Sequence, residues 1–204
     1  MSDNKTGFQV ERIAFFSDAV FAIAITLMII EVKPPHLHDG ESSKEAINGL
    51  LNIAPMFFGV ALSFIFIGLF WVRHHQLMRY VENYTSKFIS LNMAFLLTII
   101  FLPFSTAFVF ENNHSSTVVP MVFYNVNYIF AALLNYMLFS YTLNKGNGLV
   151  GKDAPSIAQY RLELLFPIVV YTLVIVVSTF SLQYGPICYA AFAFQSVLRR
   201  RKKR

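Results

Sequence analysis

Six stretches of the chain are almost wholly apolar, and short polar stretches separate them. They run over residues 13–32, 50–72, 88–110, 118–143, 162–182 and 186–198. A helix needs about 20 mostly apolar residues to cross a bilayer. The first five stretches meet that length, and the sixth is shorter. The separators carry turn and breaker residues: Lys33-Pro34-Pro35, Asn112-Asn113-His114-Ser115-Ser116, Asn144-Lys145-Gly146-Asn147-Gly148 and Tyr184-Gly185-Pro186. No internal repeat and no low-complexity block interrupts the pattern. It predicts an all-α, polytopic membrane protein with six transmembrane helices per subunit. Residues 1–204 form one domain, with residues 199–204 as a basic tail.

Composition narrows the class. Hydrophobic types make up 56% of the 204 residues and charged types 13%, with 22 Phe and 10 Tyr. A soluble fold has no room to hide that much apolar surface, because much of its exterior must be polar. Disorder, a fibre, a disulfide scaffold and most soluble enzymes are excluded on the same ground. The single thiol, Cys188, forms neither an internal disulfide nor a multi-cysteine metal site.

The net charge is +5, and its placement fixes an orientation. With both termini in the cytoplasm, Lys5, Arg12, Arg73, Arg79, Lys87, Lys145, Lys152, Arg161 and the run Arg199 to Arg204 are inside. Only Lys33 and Lys44 are outside. Fourteen of 16 basic residues thus follow the positive-inside rule. The tail reads as an anchor at the membrane surface, not as a nucleic-acid site. The expected partners are the lipid bilayer and further copies of the chain. The first apolar stretch is too long for a cleaved signal peptide and is expected to be kept.

Candidate chemistry starts in the first span. Asp18 stands about one and a half turns inside it, and a carboxylate there must be paired, hydrogen-bonded or wet. At about 100° per residue, Ile23, Leu27 and Ile30 share one face, and Thr26 lies about 60° from Ile23. Asp18 lies about 140° from Ile23, and Ser17 about 120° away on the other side. The Ser-Asp pair and the Ile-Leu-Ile row therefore meet different neighbours. Read from the residues alone, that row is first of all a packing or lipid-facing surface. Trp71, His74 and His75 end the second span, where Trp71 offers one N–H and each histidine is able to reach a carboxylate. Asn92 and Pro103 lie in the third span, the first as an interhelical hydrogen-bond partner, the second as a kink. Asn125, Asn127 and Asn135 in the fourth span read as links between helices. Adjacent histidines diverge on a helix and no Cys or carboxylate stands at ligand spacing, so no metal site and no cofactor is expected. Nucleotide loops, paired catalytic carboxylates and a Ser-His-Asp set are not evident, and nothing argues for an enzyme.

The string Arg12-x-x-x-Phe16-Ser17-Asp18, followed by Ala-Val-Phe-Ala-Ile-Ala-Ile-Thr, resembles the transmembrane protein 175 family of potassium channels. Trp71-x-x-His74 and Pro103-Phe104-Ser105 extend the resemblance, which is strongest over the first half. It implies a potassium-permeable cation channel without a selectivity-filter loop, and the chain has no Thr-Val-Gly-Tyr-Gly string. It further implies that the first helix lines a central pore. Ile23 is then the narrow hydrophobic constriction, Leu27 and Ile30 are further rings, and Thr26 is a selectivity residue. Arg12, Phe16, Ser17, Asp18, Trp71, His74 and Asn92 belong to the structural network. Ala22 departs from the animal members, which have a serine there. Those members carry two six-helix repeats and form dimers, so one repeat implies a homotetramer, here in a prokaryotic cell membrane. Potassium is the permeant ion. The competing readings are a secondary transporter or proton carrier using Asp18 and His74, and a non-conducting scaffold. The lack of an inverted repeat or paired broken helices counts against a transporter.

Overall fold

The computed structural model describes residues 2–36, 39–40, 42–112 and 116–192, with side chains from residue 7 onward. Six α-helices carry the fold: α1 Ser2–Ile30, α2 Ser43–Asn52, α3 Ala54–Met78, α4 Ser86–Glu111, α5 Val119–Thr142 and α6 Ile157–Phe180. Two 3-10 turns, Lys145–Asn147 and Gly185–Tyr189, complete it. Five helical segments among the described residues are long and apolar enough to cross a membrane. A helix of 24 residues is about 36 Å long, more than the ~30 Å of hydrocarbon it must cross.

Two differences from the sequence pattern have physical causes. The stretch 50–72 straddles a break at Ile53, where α2 ends and α3 begins, and α3 continues to Met78. Pro55, at the start of α3, has no N–H to give to a preceding turn, so the helix restarts there. Ser42 and Glu45 form a reciprocal cap on α2, which makes so short a helix hold. The sixth stretch, 186–198, opens in the 3-10 turn Gly185–Tyr189 and is helical at 190–192; the rest, with the basic tail, lies outside the described residues. Pro103 does not divide α4, which is one helix from Ser86 to Glu111. Directly after it, the Ser105 and Thr106 hydroxyls donate to the carbonyls of Phe101 and Leu102 over 2.9 and 2.8 Å.

Helix α4 is central and packs against α1, α3 and α5; α6 lies beyond α5, with the turn Gly185–Tyr189 against it. Close approach between α3 and α4 depends on Gly59, because a Cβ there would overlap the Phe110 ring. Aromatic rings fill the middle. Tyr128 stacks on Tyr171 at 4.9 Å between centroids, and Phe66 meets Tyr128 edge-on at 5.7 Å. A polar cluster and two separate polar pairs thread the bundle. In the cluster, Ser63 Oγ lies 2.9 Å from Tyr124 OH and 3.0 Å from Thr106 Oγ1. In the pairs, Asn127 Nδ2 donates to Ser105 Oγ at 3.0 Å, and Tyr189 OH to Asn125 Oδ1 at 2.9 Å. Asn125 and Asn127 thus link elements, as the sequence suggested, while buried Asn135 has no partner for its Oδ1 among the described residues.

The loops gather at two ends. At one, Lys33 pairs with Glu111 at 3.2 Å. At the other, Val81 and Val150 form a β-bridge, and Glu82 N donates to Leu149 O at 2.8 Å. Lys87 stands over the Tyr141 ring at this second end.

Candidate functional site

Helix α1 has two faces of different character. Val10, Ser17, Phe21, Ala24 and Met28 recur at helical spacing and are buried against the rest of the chain. Ile23, Leu27 and Ile30 lie on the opposite side, 57%, 41% and 70% exposed. Thr26 is exposed beside them, and Ala19 and Ala22 form a small-residue edge on the same side. The sequence separated the Ser-Asp pair from this row by angle, and the fold gives the two sets different surroundings.

Two hydrogen-bonded branches tie α1 to its neighbours, one partly exposed and one buried. In the first, Trp71 Nε1 on α3 donates to Asp18 Oδ1 on α1 at 2.9 Å. In the second, Asn92 of α4 connects all three helices. Its Nδ2 donates to Ser17 Oγ at 3.0 Å, and its Oδ1 lies 2.8 Å from His74 Nε2. Ser17 in turn donates to the carbonyl of Ile13 at 2.9 Å. Each donor in that relay has one acceptor, so the hydrogen on His74 belongs on Nε2. His74 Nδ1 then presents a bare lone pair, buried and without a partner among the described residues. The His74 ring is stacked on Phe95 at 5.9 Å and tilted against Phe21 at 5.7 Å. A buried polar relay of this kind fixes where α1 sits, because any shift leaves several groups unpaired at once.

Not every residue singled out in the sequence joins these branches. Arg12 Nη1 donates to Gln9 Oε1 at 3.3 Å, one turn earlier on α1. Phe16 is half exposed. His75 lies against the Trp71 ring, with centroids 5.7 Å apart. Asp18 and His74 are not joined directly; the sequence proposed a shared network, and the fold divides it between Trp71 and Asn92. The cluster around Ser63, Thr106 and Tyr124 was not foreseen. Its only sequence signal is hydroxyl residues inside apolar stretches, and these usually satisfy themselves on their own helix. No group of three or more His, Cys, Asp or Glu able to hold a metal occurs among the described residues.

The open row has definite chemistry. Ile23, Leu27 and Ile30 offer only hydrocarbon. The Thr26 hydroxyl donates back to the carbonyls of Ala22 and Ile23 at 2.9 and 3.0 Å, which leaves its oxygen free to accept. Four features thus share one helix: a methyl row, one hydroxyl oxygen, a small-residue edge and a rigidly anchored rear face.

Residues 12–103 match the family described as endosomal/lysosomal potassium channel TMEM175. That stretch contains both branches and the whole open row. A protein named as a potassium channel from Chamaesiphon minutus is 37% identical over 100 residues, 49% of each chain. One of the same description from Streptomyces collinus is 35% identical over 100 residues, 49% of this chain and 47% of that one. The match thus spans about half the length of these bacterial relatives. The human endosomal/lysosomal proton channel TMEM175 is 36% identical over 80 residues, 37% of this chain and 16% of that one. A solved structure described as a lysosomal potassium-selective channel TMEM175 homologue from Chamaesiphon minutus superposes with a TM-score of 0.79 at 26% identity. The superposition covers 94% of this chain and 97% of that one. Residues 12–103 are thus similar in sequence to the TMEM175 channels, and nearly the whole chain shares its fold with a solved homologue of them.

Proposed function

We propose that the protein is a potassium-permeable channel of a prokaryotic cell membrane, formed by four copies with α1 of each facing a shared axis. One observation carries the reading: Ile23, Leu27 and Ile30 stand open on the side of α1 away from its anchored face. A single helix face does not enclose a path, so a pore built on it needs several copies around an axis. The edge of Ala19 and Ala22 allows neighbouring α1 helices to approach. A ring of Ile23 side chains obstructs by size and by repelling water, and the rings of Leu27 and Ile30 lengthen the dry stretch. Thr26 supplies the one oxygen in that stretch able to replace part of an ion's water, and so is the selectivity candidate.

The relatives support this reading in their names: those from Chamaesiphon and Streptomyces are called potassium channels. Both termini are assigned to the cytoplasm, because the end carrying the Val81–Val150 bridge also carries Arg79, Lys87, Lys145 and Lys152. The experiment is a recording from purified protein in planar bilayers. Passive current that reverses at the potassium equilibrium potential supports the proposal; saturable, coupled flux contradicts it.

A second reading, proton conduction through Asp18 and His74, is favoured by the vertebrate relatives, which are named proton channels. Asp18 is bonded to Trp71 and His74 is buried behind Phe21, both away from the open row. Current that follows the proton gradient and vanishes in Asp18→Asn would favour this second reading.

A further inference from the structure

A cavity of about 360 Å³ lies between the first turns of α3, the last turns of α4, the start of α5 and the turn Gly185–Tyr189. No residue of the α1 row or of the two hydrogen-bonded branches lines it. Its walls are Phe58, Leu62, Val109, Phe110, Met121 and Tyr124, closed on one side by Pro186, Ile187 and Tyr189. They offer a ligand almost no polar surface. The two hydroxyls nearby are already engaged, Tyr124 with Ser63 and Tyr189 with Asn125. A water molecule needs two to four polar partners to be held in a buried site, and none is free in these walls. Ligand pockets begin at about 300 Å³, so the space is large enough for a small hydrocarbon group.

Two further observations choose the source of that group. Phe58 and Ile187 at the edge of the cavity are 68% and 64% exposed, so the opening is itself apolar. The helical walls belong to segments long and apolar enough to cross a membrane, and an apolar opening between such segments meets lipid when they span it. We infer that the cavity takes the acyl chain of a membrane lipid, which enters past Phe58 and Ile187 and lies against Val109 and Tyr124. The chain then acts as a wedge between α3 and α5 at the end of the molecule that carries Lys33 and Glu111. Filling an apolar void restores dispersion contacts that its lining otherwise lacks.

The test uses the full-length protein in bilayers doped with a phospholipid that carries a photoactivatable diazirine in one acyl chain. Cross-linked residues are mapped by mass spectrometry. Val109 and Tyr124 line the cavity yet are buried. Lipid that only coats the outer surface therefore labels Phe64 and Ile65, which are exposed on α3, and leaves Val109 and Tyr124 unlabelled. The inference predicts label on Val109 and Tyr124 in the native protein. It also predicts loss of that label, with the Phe64 and Ile65 label retained, in Leu62→Trp and separately in Met121→Phe. Two variants keep the test decisive if one misfolds, and retained surface labelling with an unchanged elution volume marks the folded ones. Label confined to the outer surface, or label at Val109 that survives both filled variants, overturns the inference.

Discussion

Trp71 Nε1 donates to Asp18 Oδ1 across 2.9 Å and so joins the last turns of α3 to the middle of α1. The acceptor is a carboxylate, and hydrogen bonds to charged groups contribute more than neutral ones. Trp71→Phe keeps an aromatic ring and removes the donor; the bond is partly exposed, so its loss should cost about 0.5–1.5 kcal/mol. Asp18→Asn keeps the shape and weakens the acceptor, and should cost less. In a double-mutant cycle by thermal unfolding in detergent, the two changes should be strongly non-additive. Additive effects would mean that the bond contributes nothing to the fold.

Asn92 connects three helices, so its removal should be the most damaging polar change. In Asn92→Leu, the Nε2 hydrogen of His74 and the lone pair of Ser17 lose their partners in a buried site. The expected cost is about 1–3 kcal/mol for each orphaned group. Ser17→Ala in the same background should recover part of the loss, because it removes one of the orphans. Yield of folded protein on size-exclusion chromatography reads both. Wild-type yield from Asn92→Leu would contradict the relay.

Gly59 is predicted to tolerate no side chain. The Cβ of Gly59→Ala would overlap the Phe110 ring, so α3 and α4 must separate or the ring must move. Overpacking of this kind costs about 1–3 kcal/mol. Phe110→Leu should relieve it, so the double variant should melt above Gly59→Ala alone. A double variant no more stable than Gly59→Ala would show that the α3–α4 contact is looser than described.

Orientation is open to a direct check. A cysteine-accessibility label in the loop 145–152 should react only from the cytoplasmic side, and one at Lys44 only from outside. This follows from the division of basic residues between the two ends. Reversed accessibility would place the termini outside and remove the support for the proposed orientation.

Much of the fold was legible because bilayer spans need long apolar runs, and these are visible without any tertiary knowledge. The division between α2 and α3 was not, because Leu50, Leu51 and Ile53 continue the apolar pattern straight through the break; only Pro55 marks it. The two faces of α1 could be separated by angle, since Ser17 and Ile23 diverge on any regular helix. Which donor meets which acceptor was not legible. Spacing along one helix says nothing of the register between helices, and so the sequence left Asp18 and His74 in one shared network. The Ser63–Thr106–Tyr124 cluster was invisible for the same reason, its members being 18 to 61 positions apart.

In the proposed channel, Ile23 stands at the narrowest part of the pore. If four copies of Ile23 meet on an axis, the ring offers a cation only methyl groups. Ile23→Asn replaces them with amides that hold water and give or accept hydrogen bonds. Single-channel recording of Ile23→Asn in bilayers, with potassium and sodium exchanged, is the most direct measurement. Higher conductance is expected, with weaker discrimination between the two ions, because a hydrated path lowers the penalty on the more strongly hydrated sodium. The matched control is Ile25→Asn, on the part of α1 packed against the core, which should leave the permeation of folded channels unchanged. Unaltered conductance and ion preference in folded Ile23→Asn protein would contradict the account and put the narrow point elsewhere.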